Sequence, residues 1–240
     1  APLSALAIAL PLAACGDGGD GGADQGAGDS GAEATIEVLA SFYPLQYLAE
    51  RIGGDAVTVT SLTPAGAEPH DLELSPAQVA TMSKADLVVF LSGFQPAVDT
   101  AVTEVSPSAI DVAGAARLQD AAHEEEHDHD AEEAHDHGGL DPHFWLDPVR
   151  MADAGDAVAE ALAQAAPERA SEFEAAAAVL RTDLEELDET FRAGLASCES
   201  STIVVAHEAY GYLTSAYGLE QAGISGIDPD AEPSPARLRE

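Results

Sequence analysis

Basic residues are scarce in this chain. It has 9 Lys and Arg side chains among 240 residues, against 44 Asp and Glu, which gives a formal net charge of −35. So few cations exclude nucleic-acid binding, which depends on Lys and Arg displacing counterions. They also exclude docking on anionic lipid through a basic patch. The acidic excess fits a protein that attracts cations, although an acidic proteome would explain the same excess.

Cysteines and long hydrophobic runs are scarce as well. The two cysteines are Cys15 and Cys198, and Cys198 is expected to be a buried or free thiol. Residues 1–14 form an uncharged apolar stretch. This stretch is too short for a transmembrane helix of roughly 20 residues, and it is typical of the remnant of a signal peptide.

The next segment predicts a lipid anchor. The small residues in Leu12-Ala13-Ala14-Cys15 resemble a bacterial lipobox, so Cys15 is the expected lipidation site. Residues 16–34 are rich in Gly and Asp and too poor in apolar groups to fold. Residues 15–34 are therefore predicted to be a lipidated cysteine and a tether, which would hold the protein on the extracytoplasmic face of the cell membrane.

Residues 35–166 have the pattern of an α/β lobe. Strands are predicted at 36–40, 57–62 and 86–91, and a helix at 44–52 carries its apolar residues on one face. The run Leu87-Val88-Val89-Phe90 is typical of a strand buried on both faces, as in parallel sheets covered by helices. Alternation of strands and helices predicts an α/β fold with mainly parallel strands.

Residues 119–139 interrupt this pattern. They hold five of the eight histidines and nine carboxylates but no large apolar residue, so they cannot contribute to a core and are expected to form a disordered loop. The five histidines are possible auxiliary metal ligands: His123, His127, His129, His135 and His137.

A second α/β lobe is predicted at 198–240. A helix expected at 167–194, about 40 Å long at 1.5 Å per residue, would connect the lobes within residues 167–197. The second lobe has predicted strands at 202–206 and 219–224 with a helix at 210–217 between them. Two or three strands make a poor sheet, so this lobe is expected to be incomplete and the chain truncated at its C-terminus.

Three histidines remain outside the acidic loop: His70, His143 and His207. His207 directly follows a predicted strand, and His70 lies a short loop beyond another. Ligands of open parallel sheets bind outside the carboxyl ends of the strands. Neutral imidazole is a good ligand for Zn²⁺, which takes about four donors in a tetrahedron. We therefore predict one zinc ion held by these three side chains.

Six short motifs in this order resemble the solute-binding proteins of zinc/manganese ABC importers, the ZnuA/TroA-like family. They are Phe42-Tyr43-Pro44-Leu45, Gly66-Ala67-Glu68-Pro69-His70-Asp71, Asp141-Pro142-His143-Phe144-Trp145-Leu146-Asp147-Pro148, Ala206-His207, Gly211-Tyr212-Leu213 and Ala231-Glu232-Pro233-Ser234-Pro235. The resemblance covers residues 36–240. It implies two α/β lobes joined by one long helix, a metal site in the cleft between them, and delivery of the metal to a membrane permease.

The resemblance also implies roles for single residues. His70, His143 and His207 match the family's first three metal ligands. Zinc members have His at the third position and many manganese members have Glu, so His207 favours zinc, in agreement with the preference of manganese for oxygen donors. The fourth ligand of the family is often a carboxylate near the C-terminus, and here the fourth position is expected to hold either water or a nearby acid such as Glu68. Zinc-type members often carry a His-rich insertion like residues 119–139.

Other functions stay open at this point. A manganese or iron carrier of the same family and an adhesin-type surface lipoprotein are the alternatives. The segment from His123 to His127 matches the H-E-x-x-H pattern of zinc proteases, but it has no apolar face to fix a buried helix. The protease reading is therefore disfavoured, and the chain is not expected to be an enzyme.

Overall fold

The computed structural model describes residues 35–105, 107–120 and 139–232. The predictions for the signal-peptide remnant, Cys15, the tether and the five loop histidines lie outside these ranges. No helix in the described ranges has both the length and the apolar character that crossing a membrane requires.

Four parallel strands form the first sheet. They are β1 (Ile36–Ala40), β2 (Val57–Ser61), β3 (Leu87–Phe90) and β4 (Ala109–Asp111), in the order β2-β1-β3-β4. All four residues of β3 are buried, as predicted for a central parallel strand covered by helices. The short edge strand β4 was not predicted.

Five helices accompany this sheet: α1 (Tyr43–Gly53), α2 (Pro76–Met82), α3 (Pro96–Val105), α4 (Ala113–Ala116) and α5 (Pro148–Ala165). The predicted apolar face of α1 is buried, with Leu45 and Leu48 fully inside. Helix α2 begins with a capping box, in which Ser75 and Gln78 satisfy each other's backbone N–H groups. Asp147 caps α5 by accepting from the N–H groups of its first turn.

The long helix and a second sheet complete the described fold. A short 3-10 turn at Pro167–Arg169 precedes α6 (Ala170–Leu195, 26 residues). Strands β5 (Thr202–His207) and β6 (Glu220–Ser225) pair in parallel, and α7 (Gly211–Tyr217) connects them. The predicted α/β class, with parallel sheets, flanking helices and one long helix, is confirmed. Cys198 is exposed and forms no disulfide with any residue that the structure describes.

Candidate metal centre

Each of the three histidines is placed by a different element. His70 lies in the loop between β2 and α2, His143 lies in the turn before α5, and His207 is the last residue of β5. Since the three side chains come from separate parts of the chain, each can approach a common point without strain in a shared backbone. The prediction that His70 and His207 follow the carboxyl ends of parallel strands matches this placement.

The imidazole nitrogens converge. His70 Nε2 and His143 Nε2 are 3.2 Å apart, and one ring nitrogen from each of the three histidines lies within 4.8 Å of the others. Two nitrogens bound tetrahedrally to zinc at about 2.05 Å would be about 3.3 Å apart. The His70–His143 pair therefore already has the spacing of two zinc ligands, and His207 needs a movement of at most about 1.5 Å to reach the same spacing.

Aromatic side chains hold the two buried rings in place. His70 and His143 are 8% and 2% exposed. The edge of Phe94 packs against the His70 ring at 4.8 Å between centroids, and Trp145 packs against the His143 ring at 5.2 Å. His207 is half-buried. Because packing fixes the rings of His70 and His143, these side chains lose little rotamer freedom when a metal binds.

Asp141 orients His143. Its Oδ1 accepts from the His143 backbone N–H at 2.9 Å and lies 2.8 Å from His143 Nδ1. A carboxylate at that distance assigns the ring proton to Nδ1, which leaves the lone pair of Nε2 free for a metal. Asp141 is itself buried, so its hydrogen bonds to His143 also offset part of the free-energy cost of burying its charge.

A chain of hydrogen bonds fixes the loop that carries His70. Gln95 Nε2 donates to the Pro69 carbonyl at 2.9 Å and to Thr63 Oγ1 at 3.0 Å. Thr63 Oγ1 in turn donates to the Ser41 carbonyl, just beyond β1. These hydrogen bonds connect the loop that carries His70 to the C-terminal end of β1.

Glu68 lies beside the histidines. Its Oε1 accepts from the His70 backbone N–H at 3.2 Å, and it lines the same cavity of about 560 Å³ as the three histidines. Its carboxylate does not belong to the group of mutually close ligand atoms, which among the described residues consists of the three histidines. Its part in metal binding stays a prediction.

Burial lowers the pKa of His207, and the nearby His143 ring lowers it further. The carboxylates of Glu68, Asp141 and Asp228 oppose this shift. Since the ordinary pKa of histidine is about 6.5, the lowered pKa keeps the His207 imidazole neutral at neutral pH. A neutral ring is the form that binds a metal ion.

Sequence reasoning named the three converging histidines but missed the residues that support them. Asp141 stands two positions before His143 in a motif that was singled out, and a carboxylate next to a candidate histidine ligand was the available signal. No sequence signal pointed to Phe94 or Gln95, because their role depends on where α3 begins relative to the His70 loop.

The fold and these converging imidazoles define an α/β protein with a three-histidine candidate metal centre. The chain belongs to the ZnuA family, described as zinc-uptake complex component A, periplasmic, whose model matches residues 38–240.

Two similar proteins, one of them with a solved structure, are named for zinc binding or zinc uptake. The zinc-binding lipoprotein AdcA of Streptococcus pneumoniae is 34% identical over 87% of this chain and 42% of its own length. The high-affinity zinc uptake system protein ZnuA of Bacillus subtilis is 31% identical over 95% of this chain and 72% of its own length. The crystal structure of Zn(II)-bound AdcA from S. pneumoniae is similar with a TM-score of 0.71, at 30% identity, over 86% of this chain and 42% of that one. The chain thus spans less than half the length of the AdcA relatives.

Proposed function

We propose that this chain captures one zinc ion with His70, His143 and His207 and delivers it to an ABC permease. The observation that carries the proposal is the convergence of three imidazole nitrogens to within 4.8 Å. Zinc is the cargo in this proposal, and no catalytic step is part of it. The names of the relatives, which describe zinc binding and zinc uptake, support the same function.

The donor set favours zinc over manganese and iron. Zinc accepts imidazole nitrogen in a four-coordinate site, whereas carboxylate, carbonyl and water oxygens suit manganese. Three imidazoles form the inner ligands here, and Glu68 or a ligand from outside the described residues would complete the tetrahedron. A manganese or iron carrier remains the alternative within the family, and it would require more oxygen ligands than this group supplies.

The proposed location is the extracytoplasmic face of the membrane, with a lipid on Cys15. The support is the lipobox-like sequence before Cys15, the Gly/Asp-rich tether after it, and the word lipoprotein in the name of the AdcA relative. An adhesin-type surface protein is the second class considered from the sequence. No contact among the described residues favours it.

Growth under zinc limitation tests capture and delivery together. We expect deletion of the gene to slow growth of the source cell in chelator-treated medium, and added zinc to restore it. A plasmid with the intact gene should also restore growth, whereas one carrying His70→Ala should not, because it lacks an inner ligand. Rescue by manganese but not by zinc would contradict the proposed cargo.

We further propose that residues 119–139 gather zinc ions weakly near the tight site. Many His and carboxylate side chains on one segment raise the local zinc concentration. The described residues on either side suggest how to remove them: Asp120 and Leu140 face each other in an antiparallel bridge. Because the two backbones already lie side by side there, a short Asn-Gly turn is a suitable replacement for residues 122–138.

This replacement removes all five loop histidines and keeps the paired residues around Asp120 and Leu140. We expect calorimetry to show fewer zinc ions bound per chain but one tight site of unchanged affinity, because the three inner ligands stay in place. A replaced chain that loses the tight site would show that the loop contributes a ligand to it. An unchanged number of bound ions would contradict the gathering role.

A further inference from the structure

Gln119, Asp120, Leu140 and Asp141, the residues on either side of 121–138, are hydrogen-bonded to each other and are called the neck here. Asp120 and Leu140 form an antiparallel bridge, and the Asp141 backbone N–H donates to the Gln119 carbonyl at 2.8 Å. The neck therefore ends at Asp141, the residue whose carboxylate orients His143. Asp141 therefore connects the neck directly to the candidate metal centre.

A tyrosine from another part of the chain seals this neck. Tyr212 Oη accepts from the Gln119 backbone N–H at 2.8 Å and donates to the Asp141 carbonyl at 2.7 Å. These partners are 93 and 71 residues away in the sequence. The hydroxyl uses one donor and one acceptor capacity, and both partners are main-chain groups, so it fixes the path of the backbone on both sides of the insertion.

The ring of Tyr212 is buried and packs against Arg150. Tyr212 is 3% exposed, and the Arg150 guanidinium lies 4.5 Å above the ring centre. Arg150 also donates to the carbonyls of Ala116 and Arg117 at the end of α4. Because packing from α5 sets the ring position, the hydroxyl is presented to the neck without a choice of rotamers.

Helix α7 touches Asp141 at a second point. A Cβ atom added at Gly211 would lie 2.7 Å from Asp141 Oδ2, closer than real Cβ contacts allow. The first two residues of α7 therefore contact both the carbonyl and the carboxylate of Asp141. His207, the third candidate ligand, lies four residues before Gly211, so one segment supplies a ligand and also supports the aspartate that orients another ligand.

We propose that Tyr212 is a positioning residue for metal capture: its hydroxyl locks Asp141 in the place from which the carboxylate orients His143. The inference rests on the proposed zinc site. Removal of the hydroxyl takes one hydrogen bond each from the Asp141 carbonyl and the Gln119 N–H, so Asp141 is held less firmly and the imidazole of His143 loses its fixed direction.

The test compares two tyrosines of the same helix. Tyr212→Phe removes the hydroxyl and keeps the buried ring under Arg150. Tyr217→Phe is the matched control, because its hydroxyl donates to Asp188 Oδ1 at 3.1 Å on α6, away from the histidines. We expect zinc affinity, measured by competition with a chelator, to fall about tenfold in Tyr212→Phe, the lower end of the range for changes to a direct partner of a metal ligand, because Tyr212 acts through that partner, Asp141. It should stay unchanged in Tyr217→Phe.

A double-mutant cycle with Asp141→Ala separates positioning from general stability. If Tyr212 acts through Asp141, Tyr212→Phe should cause no further loss of zinc affinity once the carboxylate is gone. An equal tenfold loss with and without Asp141→Ala would overturn the proposal, as would wild-type affinity in Tyr212→Phe. Thermal unfolding of the metal-free variants verifies that each is folded. A wild-type chain that binds no zinc would instead refute the proposed function.

Discussion

His143→Ala is expected to weaken zinc binding by about a hundredfold while the protein stays folded. Zinc sites built by protein ligands have apparent binding free energies of about 10–16 kcal/mol, so one of four ligands accounts for about 3 kcal/mol, or roughly a hundredfold in affinity. His143 should show the full effect because it is the most buried of the three histidines, at 2% exposure, and its ring is already oriented by Asp141.

The measurement needs to separate the tight site from weak binding by the acidic loop. Competition with a chelator of known zinc affinity isolates the tight phase, and His123→Ala is the matched control within the loop. We expect His123→Ala to keep the affinity of the tight phase and His143→Ala to lower it about a hundredfold. Retention of wild-type affinity in His143→Ala would show that the three rings do not share a metal ion.

Much of the fold follows from patterns that local sequence carries. The apolar run of β3 predicted a buried parallel strand, and the apolar face of residues 44–52 predicted α1, since both signals depend on neighbouring residues. The edge strand β4 (Ala109–Asp111) escaped prediction because its three residues are not buried and carry no apolar alternation. The short helix α4 ends where Arg117 has a φ of 51°. This is a left-handed conformation, which an arginine in the sequence does not predict.

The long helix shows how far local signals extend. The sequence predicts a helix that begins at Pro167, since proline fits a first helical turn. The backbone instead forms a 3-10 turn over Pro167–Arg169 before α6 begins at Ala170. The C-terminal boundary was predicted to within one residue, because Gly194 disfavours continuation of the helix.

The candidate site, too, could be predicted from the sequence only in part. The three histidines could be named because the other five lie in one acidic segment, which leaves these three to be explained. Asp141 could not be assigned to the Nδ1 atom of His143, since that requires the direction of both side chains. The contacts of the Tyr212 hydroxyl were beyond reach, because they join residues 71 and 93 positions apart through the packing of α7 and α5.

His207→Glu is expected to shift the metal preference from zinc toward manganese. The carboxylates of Glu68, Asp141 and Asp228 act electrostatically on the half-buried His207, so a carboxylate at position 207 would add an anionic oxygen in an acidic setting. Oxygen donors suit manganese, whereas the loss of one imidazole removes a donor that zinc favours. We expect zinc affinity to fall roughly a hundredfold, by the same share of the binding free energy as for His143, and manganese affinity to hold or rise.

His207→Gln is the control for this shift, since it removes the imidazole without adding a charged oxygen. Competition of Zn²⁺ against Mn²⁺ on both variants should give a higher manganese preference in His207→Glu than in His207→Gln. The same metal ratio in the two variants would mean that position 207 weakens binding without choosing the metal. A difference between them places the choice at the carboxylate itself, because the two side chains match in size and differ in charge and donor type.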